Sequence, residues 1–185
     1  ISHLDYEIGR ILKALEDKGL LENTIIVFSG DNGLAVGQHG LMGKQNLYDH
    51  SIRVPLIFAG PGIPKNEKRS TFTYLLDIFP TLCDLAGIEI PSTVEGISLK
   101  NAIHKKDIEH RESLYFAYAD KIRGVRDRQY KLIEYRTEEL KKTQLFDTIN
   151  DPAELCNLHR KAEYKQIEDK LREELIKYRE QWDDK

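Results

Sequence analysis

Apolar residues recur along this chain with two different periods. Leu4, Ile8, Ile11, Leu12 and Leu15 fall on one helical face while Asp5, Glu7, Arg10, Lys13, Glu16 and Asp17 crowd the other. That pattern predicts an amphipathic helix starting at Ser2, a candidate N-cap, and stopped by Gly19 in the left-handed conformation. Residues 24–28 then run without a charge and predict a buried strand covered on both faces, as in a parallel sheet. Residues 53–59 repeat this character, with Pro55 near the start, where a missing N–H is tolerated. A further short strand is expected over residues 71–76. Ile78, Leu82, Leu85 and Ala86 make a second helical face, with Asp77 as its N-cap and Gly87 as its end.

After residue 112 the period changes to two. Residues 113–119, 121–126, 129–135 and 143–146 are short, aromatic-rich, half-polar runs that predict a small antiparallel sheet. Tyr164, Ile167, Leu171, Leu175, Tyr178 and Trp182 mark a final amphipathic helix whose stripe must cover that sheet or the main body. The expected fold is therefore α/β in two parts: residues 1–112 with an incomplete parallel or mixed sheet and helices, and residues 113–185 with an antiparallel sheet and a terminal helix. Two all-apolar strands need neighbours and covering helices. A missing amino-terminal segment, or self-association, is expected to supply them.

Composition narrows the function classes. A formal charge of −3 and a pI near 6.1 argue against nucleic acid or an anionic membrane as the main partner. No uncharged apolar run approaches the roughly 18 residues that span a bilayer. Cys83 and Cys156 stand far apart and outside any zinc or C-x-x-C spacing, so both are expected to pack rather than bridge or bind metal. The chain opens at Ile1 directly into a helical pattern, which reads as a piece of something longer.

Candidate chemistry gathers after the first strand. Asp31 and Asn32, flanked by Gly30 and Gly33, sit where ligands collect in open α/β sheets, at a strand's carboxyl end. An Asx turn that merely ends the strand fits the same residues. A long loop over residues 33–48 follows, carrying four glycines interleaved with Gln38, His39, Lys44, Gln45 and Asn46. Loops of that length in compact domains are usually functional.

Gly30-Asp31-Asn32-Gly33, Gly37-Gln38-His39-Gly40, Gly43-Lys44, Arg53-Val54-Pro55-Leu56-Ile57 and Pro61-Gly62 resemble, in order, the carboxyl-terminal half of the sulfatase family. Asp77-Ile78-Phe79-Pro80-Thr81-Leu82 is similar to a later helix of that family. Arg123-Gly124-Val125-Arg126, Tyr130-Lys131-Leu132-Ile133, Gln144-Leu145-Phe146-Asp147 and Asn150-Asp151-Pro152-Ala153-Glu154 resemble its small terminal sheet domain. The resemblance implies an alkaline-phosphatase-like fold and hydrolysis of sulfate esters, sulfated glycans among them, by a formylglycine nucleophile assisted by calcium. It assigns Asp31 and Asn32 as metal ligands, Lys44 as a sulfate contact, and His39 either as a substrate contact or proton donor or as a loop-structuring hydrogen-bonder. Arg53 is expected to anchor the loop through backbone carbonyls, and Asp49 to cap or form salt bridges. An extracytoplasmic setting, periplasmic, secreted or lysosomal, is implied as well.

The family's Cys/Ser-x-Pro/Ala-x-Arg nucleophile motif has no counterpart here, since Asp84-Leu85-Ala86 follows Cys83 and Asn157-Leu158-His159 follows Cys156. The expectation is a fragment holding half of a calcium site, inactive alone and weak in calcium. A phosphodiesterase or phosphonate hydrolase of the same superfamily, and a non-catalytic assembly module, are the alternatives.

Overall fold

The computed structural model describes residues 1–106, 108–137 and 140–184. Along the chain run α1 (Ser2–Asp17), β1 (Ile26–Ser29), β2 (Ala35–Val36), β3 (Met42–Gly43), α2 (Asp49–Ile52), β4 (Leu56–Ala59), α3 (Ile78–Ala86) and α4 (Lys100–His104). These are followed by β5 (Leu114–Tyr118), β6 (Ile122–Arg126), β7 (Tyr130–Arg136), β8 (Lys141–Asp147) and α5 (Lys165–Gln181). The chain forms two compact units, one of Ile1–Gly30 with Pro55–His110, the other of Asp31–Val54 with Arg111–Lys185.

In the first unit, α1 begins at Ser2, its expected cap, so the N-cap falls one residue earlier. Ile1 holds the N-cap position, makes no side-chain cap, and Ser2 is already helical. Gly19, at φ +64°, reverses the chain as predicted, and Leu20 N–H returns to Leu15 O at 2.9 Å. β1 pairs with β4 antiparallel, Ile26 opposite Ala59 and Ser29 opposite Leu56. The parallel partner expected for residues 24–28 does not form among the described residues. Nor is the expected covering of both faces met, since no residue of β1 or β4 is buried and Ile57 is 55% exposed; an unbroken apolar run marks a strand to be covered and carries no information on its direction. Residues 71–76 form no strand; a 3₁₀ turn over Leu75–Asp77 ends that stretch. Asp77 precedes α3 as expected, but its buried carboxylate accepts the N–H groups of Tyr74 and Ile97, both at 2.8 Å, rather than those of the helix. No residue of α1 is buried, and Leu4 and Ile11 are 57% and 63% exposed.

The second unit is built on the four-stranded antiparallel sheet β5-β6-β7-β8, each strand paired with its sequence neighbour. Its residues alternate cleanly between two covered faces. Val125, Leu132 and Leu145 pack with Leu158 and with Leu171 and Leu175 of α5. Ile122, Ile133 and Phe146 pack on the other side against Leu47 and Tyr48. The terminal helix thus covers the sheet, as its stripe requires, and the opposite face is closed by residues from far upstream. Past α5, Asp184 receives the buried Arg123 guanidinium through two bonds of 2.5 Å. Of the two cysteines, Cys83 is buried as expected whereas Cys156 is exposed.

Candidate active site

The loop after Asp31 is shorter in irregular backbone than its glycines suggest. β2 and β3 pair as a two-residue ribbon, Ala35 opposite Gly43 and Val36 opposite Met42, and a 3₁₀ turn over Gln38–Gly40 joins them. Gly33 seats the loop's start: its N–H donates to Ser51 O at 2.8 Å, and a Cβ there would lie 1.9 Å from His50 O. Only glycine fits so close to a backbone carbonyl.

Two of the four predicted site residues, Asp31 and Lys44, come together at this loop, with Asn32 next to Asp31 in the chain. Asp31 Oδ1 accepts the N–H of its immediate neighbour Asn32 at 2.8 Å, one residue short of the Asx turn that the sequence also allowed. Asp31 Oδ2 lies 3.8 Å from Lys44 Nζ, with the two side chains 90% and 54% exposed. Asn32 is exposed as well. Carboxylate and ammonium therefore face one another at an open surface.

His39 is held apart by a second set of contacts. Its ring stacks on Tyr48 with centroids 3.9 Å apart and planes 8° from parallel, and Nε2 lies 3.0 Å from Ala153 O. A carbonyl only accepts, so Nε2 carries the proton of this bond. The loop-structuring role is realised at Nε2, and any proton given to a substrate has to come from the other ring nitrogen. Tyr48 in turn donates from its hydroxyl to Gln144 Oε1 at 3.0 Å.

His50 completes the aromatic row, 5.6 Å from both rings, with Nε2 buried and without a hydrogen-bond partner. Burial, reinforced by His39, pushes its pKa below the usual imidazole value. A histidine lowered on folding stabilises the fold above its unfolded pKa, about 6.5, and that contribution fades as pH falls through the window below it. Urea midpoints are accordingly expected to drop as pH is taken from 7 to 5.5, and His50→Asn is expected to flatten that slope. An unchanged slope would show that His50 does not titrate differently in the two states.

Arg53 does not anchor the loop through carbonyls. Its guanidinium is 76% exposed and reaches only Asp49 Oδ2, at 3.9 Å, because α2 ends there and turns the side chain outward. Asp49 forms the salt bridges expected of it, with Arg126 at 2.8 Å and with the ammonium of Lys131. Burial alone would raise its carboxyl, but the Lys131 and Arg126 cations more than reverse this and hold it below the ordinary carboxylate range.

Among the described residues no three His, Cys, Asp or Glu side chains lie close enough to hold a metal ion. Asp31 and Asn32, adjacent in the chain and both exposed, nevertheless carry hard oxygen donors of the kind a calcium ion takes. They fit part of a calcium shell of about 6 to 8 oxygens.

The model of the carboxyl-terminal portion of N-sulphoglucosamine sulphohydrolase matches residues 37–181. The chain belongs to the sulfatase family. An arylsulfatase of Clostridium perfringens is 39% identical over 96% of this sulfatase chain and 38% of its own length. A solved structure in complex with its substrate D-glucosamine-2-N,6-O-disulfate superposes with a TM-score of 0.90 at 33% identity, covering 97% of this chain and 39% of that one. The phosphonate monoester hydrolase of Agrobacterium radiobacter superposes with a TM-score of 0.82 at 27% identity, covering 97% of this chain and 40% of that one. The sulfatase chain thus spans about two fifths of the length of these relatives. Among its described residues no helix is long and apolar enough to cross a membrane.

Sequence reasoning about this sulfatase gave no role to Lys131, Glu154 or Gln144, which hold the loop from beneath. One signal was present: Lys131 interrupts the alternation of β7 at a position that faces inward with Ile133.

Proposed function

We propose that this chain is the carboxyl-terminal part of a sulfate-ester hydrolase acting on sulfated glycans outside the cytoplasm. In this reading Asp31 and Asn32 supply part of a calcium site, Lys44 contacts the sulfate, and the formylglycine nucleophile lies in polypeptide beyond this chain. The observation that carries the reading is the approach of Lys44 Nζ to within 3.8 Å of Asp31 Oδ2, with Asn32 adjacent. Family membership and a relative whose substrate is a disulfated glucosamine support the substrate class.

Bound calcium would neutralise charge on the ester's sulfate oxygens. The chain's own contribution is electrostatic: an ammonium on a flexible stem, beside the ligand pair, favours the charge that develops as the ester bond breaks. The exposed apolar face of α1 and the two-stranded pairing of β1 with β4 support a fragment whose missing sheet neighbours come from the same longer polypeptide.

The test is turnover of nitrophenyl sulfate and of glucosamine 6-sulfate by the longer protein containing this chain, alongside a phenylphosphonate monoester. Sulfate-ester turnover is expected to exceed phosphonate turnover, and the 185-residue chain alone is expected to show none. A preference for the phosphonate would shift the assignment to the second reading, which the superposition on a phosphonate monoester hydrolase favours. Turnover by the isolated chain would refute its dependence on a second segment.

A further inference from the structure

The loop that carries Lys44 rests on a buried cluster of charges. Lys131, fully buried on β7, places its ammonium against the Asp49 carboxylate, 2.6 Å from Glu154 Oε1 and 3.2 Å from Leu47 O. Glu154 is 2% exposed and accepts the Asp49 N–H at its other oxygen, at 2.6 Å. Arg126 adds a guanidinium to Asp49 at 2.8 Å and 2.9 Å. Buried Lys131 and part-buried Arg126 thus meet the two carboxylates, with exposed Arg53 at the edge, 3.9 Å from Asp49. A buried ionic group of this kind gains little stability over an apolar replacement, and its best-attested use is to fix one arrangement among several.

The arrangement it fixes is visible in what it ties together. Downstream of Lys44, the carbonyl of Leu47 and the N–H of Asp49 are bound to Lys131 and Glu154. Upstream, His39 is bound to the carbonyl of Ala153, the residue before Glu154. Glu154 itself adopts φ +58°, a strained value for a side chain of its type. That turn sends its carboxylate inward to Lys131 while the preceding carbonyl meets His39. Lys44, next to Gly43 of the short ribbon, is thus held from both sides by groups for which the structure gives no contact with it.

We propose that Lys131, Asp49 and Glu154 form a positioning cluster that sets the place of Lys44 for its contact with the sulfate group. The proposal rests on the reading of Lys44 as that contact. Neither Lys131 nor Glu154 is a catalytic residue in this scheme; both act through the loop.

A double-mutant cycle in the longer sulfatase containing this chain tests it. Lys44→Ala, Glu154→Gln and the pair are compared for kcat and KM on nitrophenyl sulfate. Glu154→Gln is expected to lower kcat between about tenfold and 100-fold, as for a displaced catalytic group. In the Lys44→Ala background the same change is expected to cost less than about twofold, because the group it positions is gone. A general loss of folded enzyme would lower the rate by one common factor in both backgrounds. Equal factors, or no effect of Glu154→Gln alone, would overturn the proposal. The Lys44→Ala arm separately reports on the underlying reading, which fails if that single change leaves kcat intact. Should Glu154→Gln not accumulate as folded protein, Glu154→Asp keeps the charge and shortens the reach, and the same comparison decides.

Discussion

Replacing Lys131 with methionine is expected to lower stability by about 3 to 5 kcal/mol, the cost of breaking a buried ion pair from one side. The stem is retained in that substitution, so packing against Ile133 and its neighbours changes little. What remains is Glu154 at 2% exposure, and Asp49 left to Arg126, with negative charge unmatched inside the second unit. Domains of ordinary stability have only about 5 to 15 kcal/mol in total, so the loss is large. Chemical denaturation read through Trp182, the single tryptophan of this chain, measures it directly. Adding Glu154→Gln to Lys131→Met is expected to recover part of the loss, since the orphaned carboxylate is then neutral. A change under about 1 kcal/mol for Lys131→Met would show that water reaches the cluster. Acid should act in the same direction. The Asp49 carboxyl is lowered on folding, so its contribution is complete above its unfolded pKa of about 3.9 and disappears as pH falls through its folded value.

Lys44→Ala in the longer enzyme is expected to lower kcat/KM by about 100-fold, the scale for removing one group that stabilises developing charge. Stability should hardly move. Lys44 is half exposed and its partner Asp31 almost wholly so, and exposed ion pairs are worth about 0 to 1 kcal/mol. That separation makes the experiment informative: a solvated loop lysine would leave both quantities untouched, whereas a sulfate contact moves the rate alone. Lys44→Arg is expected to recover only part of the rate, because a planar fork does not occupy the place of a compact ammonium. An unaltered kcat/KM in Lys44→Ala would remove this residue from the site.

The elements that pack by simple periodicity were the ones visible in the sequence. The helix over Ser2–Asp17, the strands β5 to β8 and the stripe of α5 all follow from apolar spacing, and each is present. Asp31, Asn32 and Lys44 could be grouped because a resemblance aligned them, and Asp31 and Lys44 lie within 3.8 Å of one another. Three things were hidden for physical reasons. The direction of β1 against β4 is set by pairing, which composition does not encode. The ribbon of β2 and β3 is two residues long on each side, too short for any period to show. The buried charge at Glu154 looks like an ordinary solvated position, and that at Lys131 shows only as a break in the alternation of β7. Their burial depends on cross-strand register and on a segment more than 70 residues upstream, neither of which a local window contains.

The face of the carboxyl-terminal sheet opposite α5 is closed by Leu47 and Tyr48, which stand five residues or fewer from Lys44. Trimming the polypeptide at residue 112, where the pattern of the chain changes, would therefore strip the floor from beneath the loop that carries Lys44. A longer protein that stops at residue 112 of this chain is accordingly expected to lose ester cleavage although it keeps Lys44.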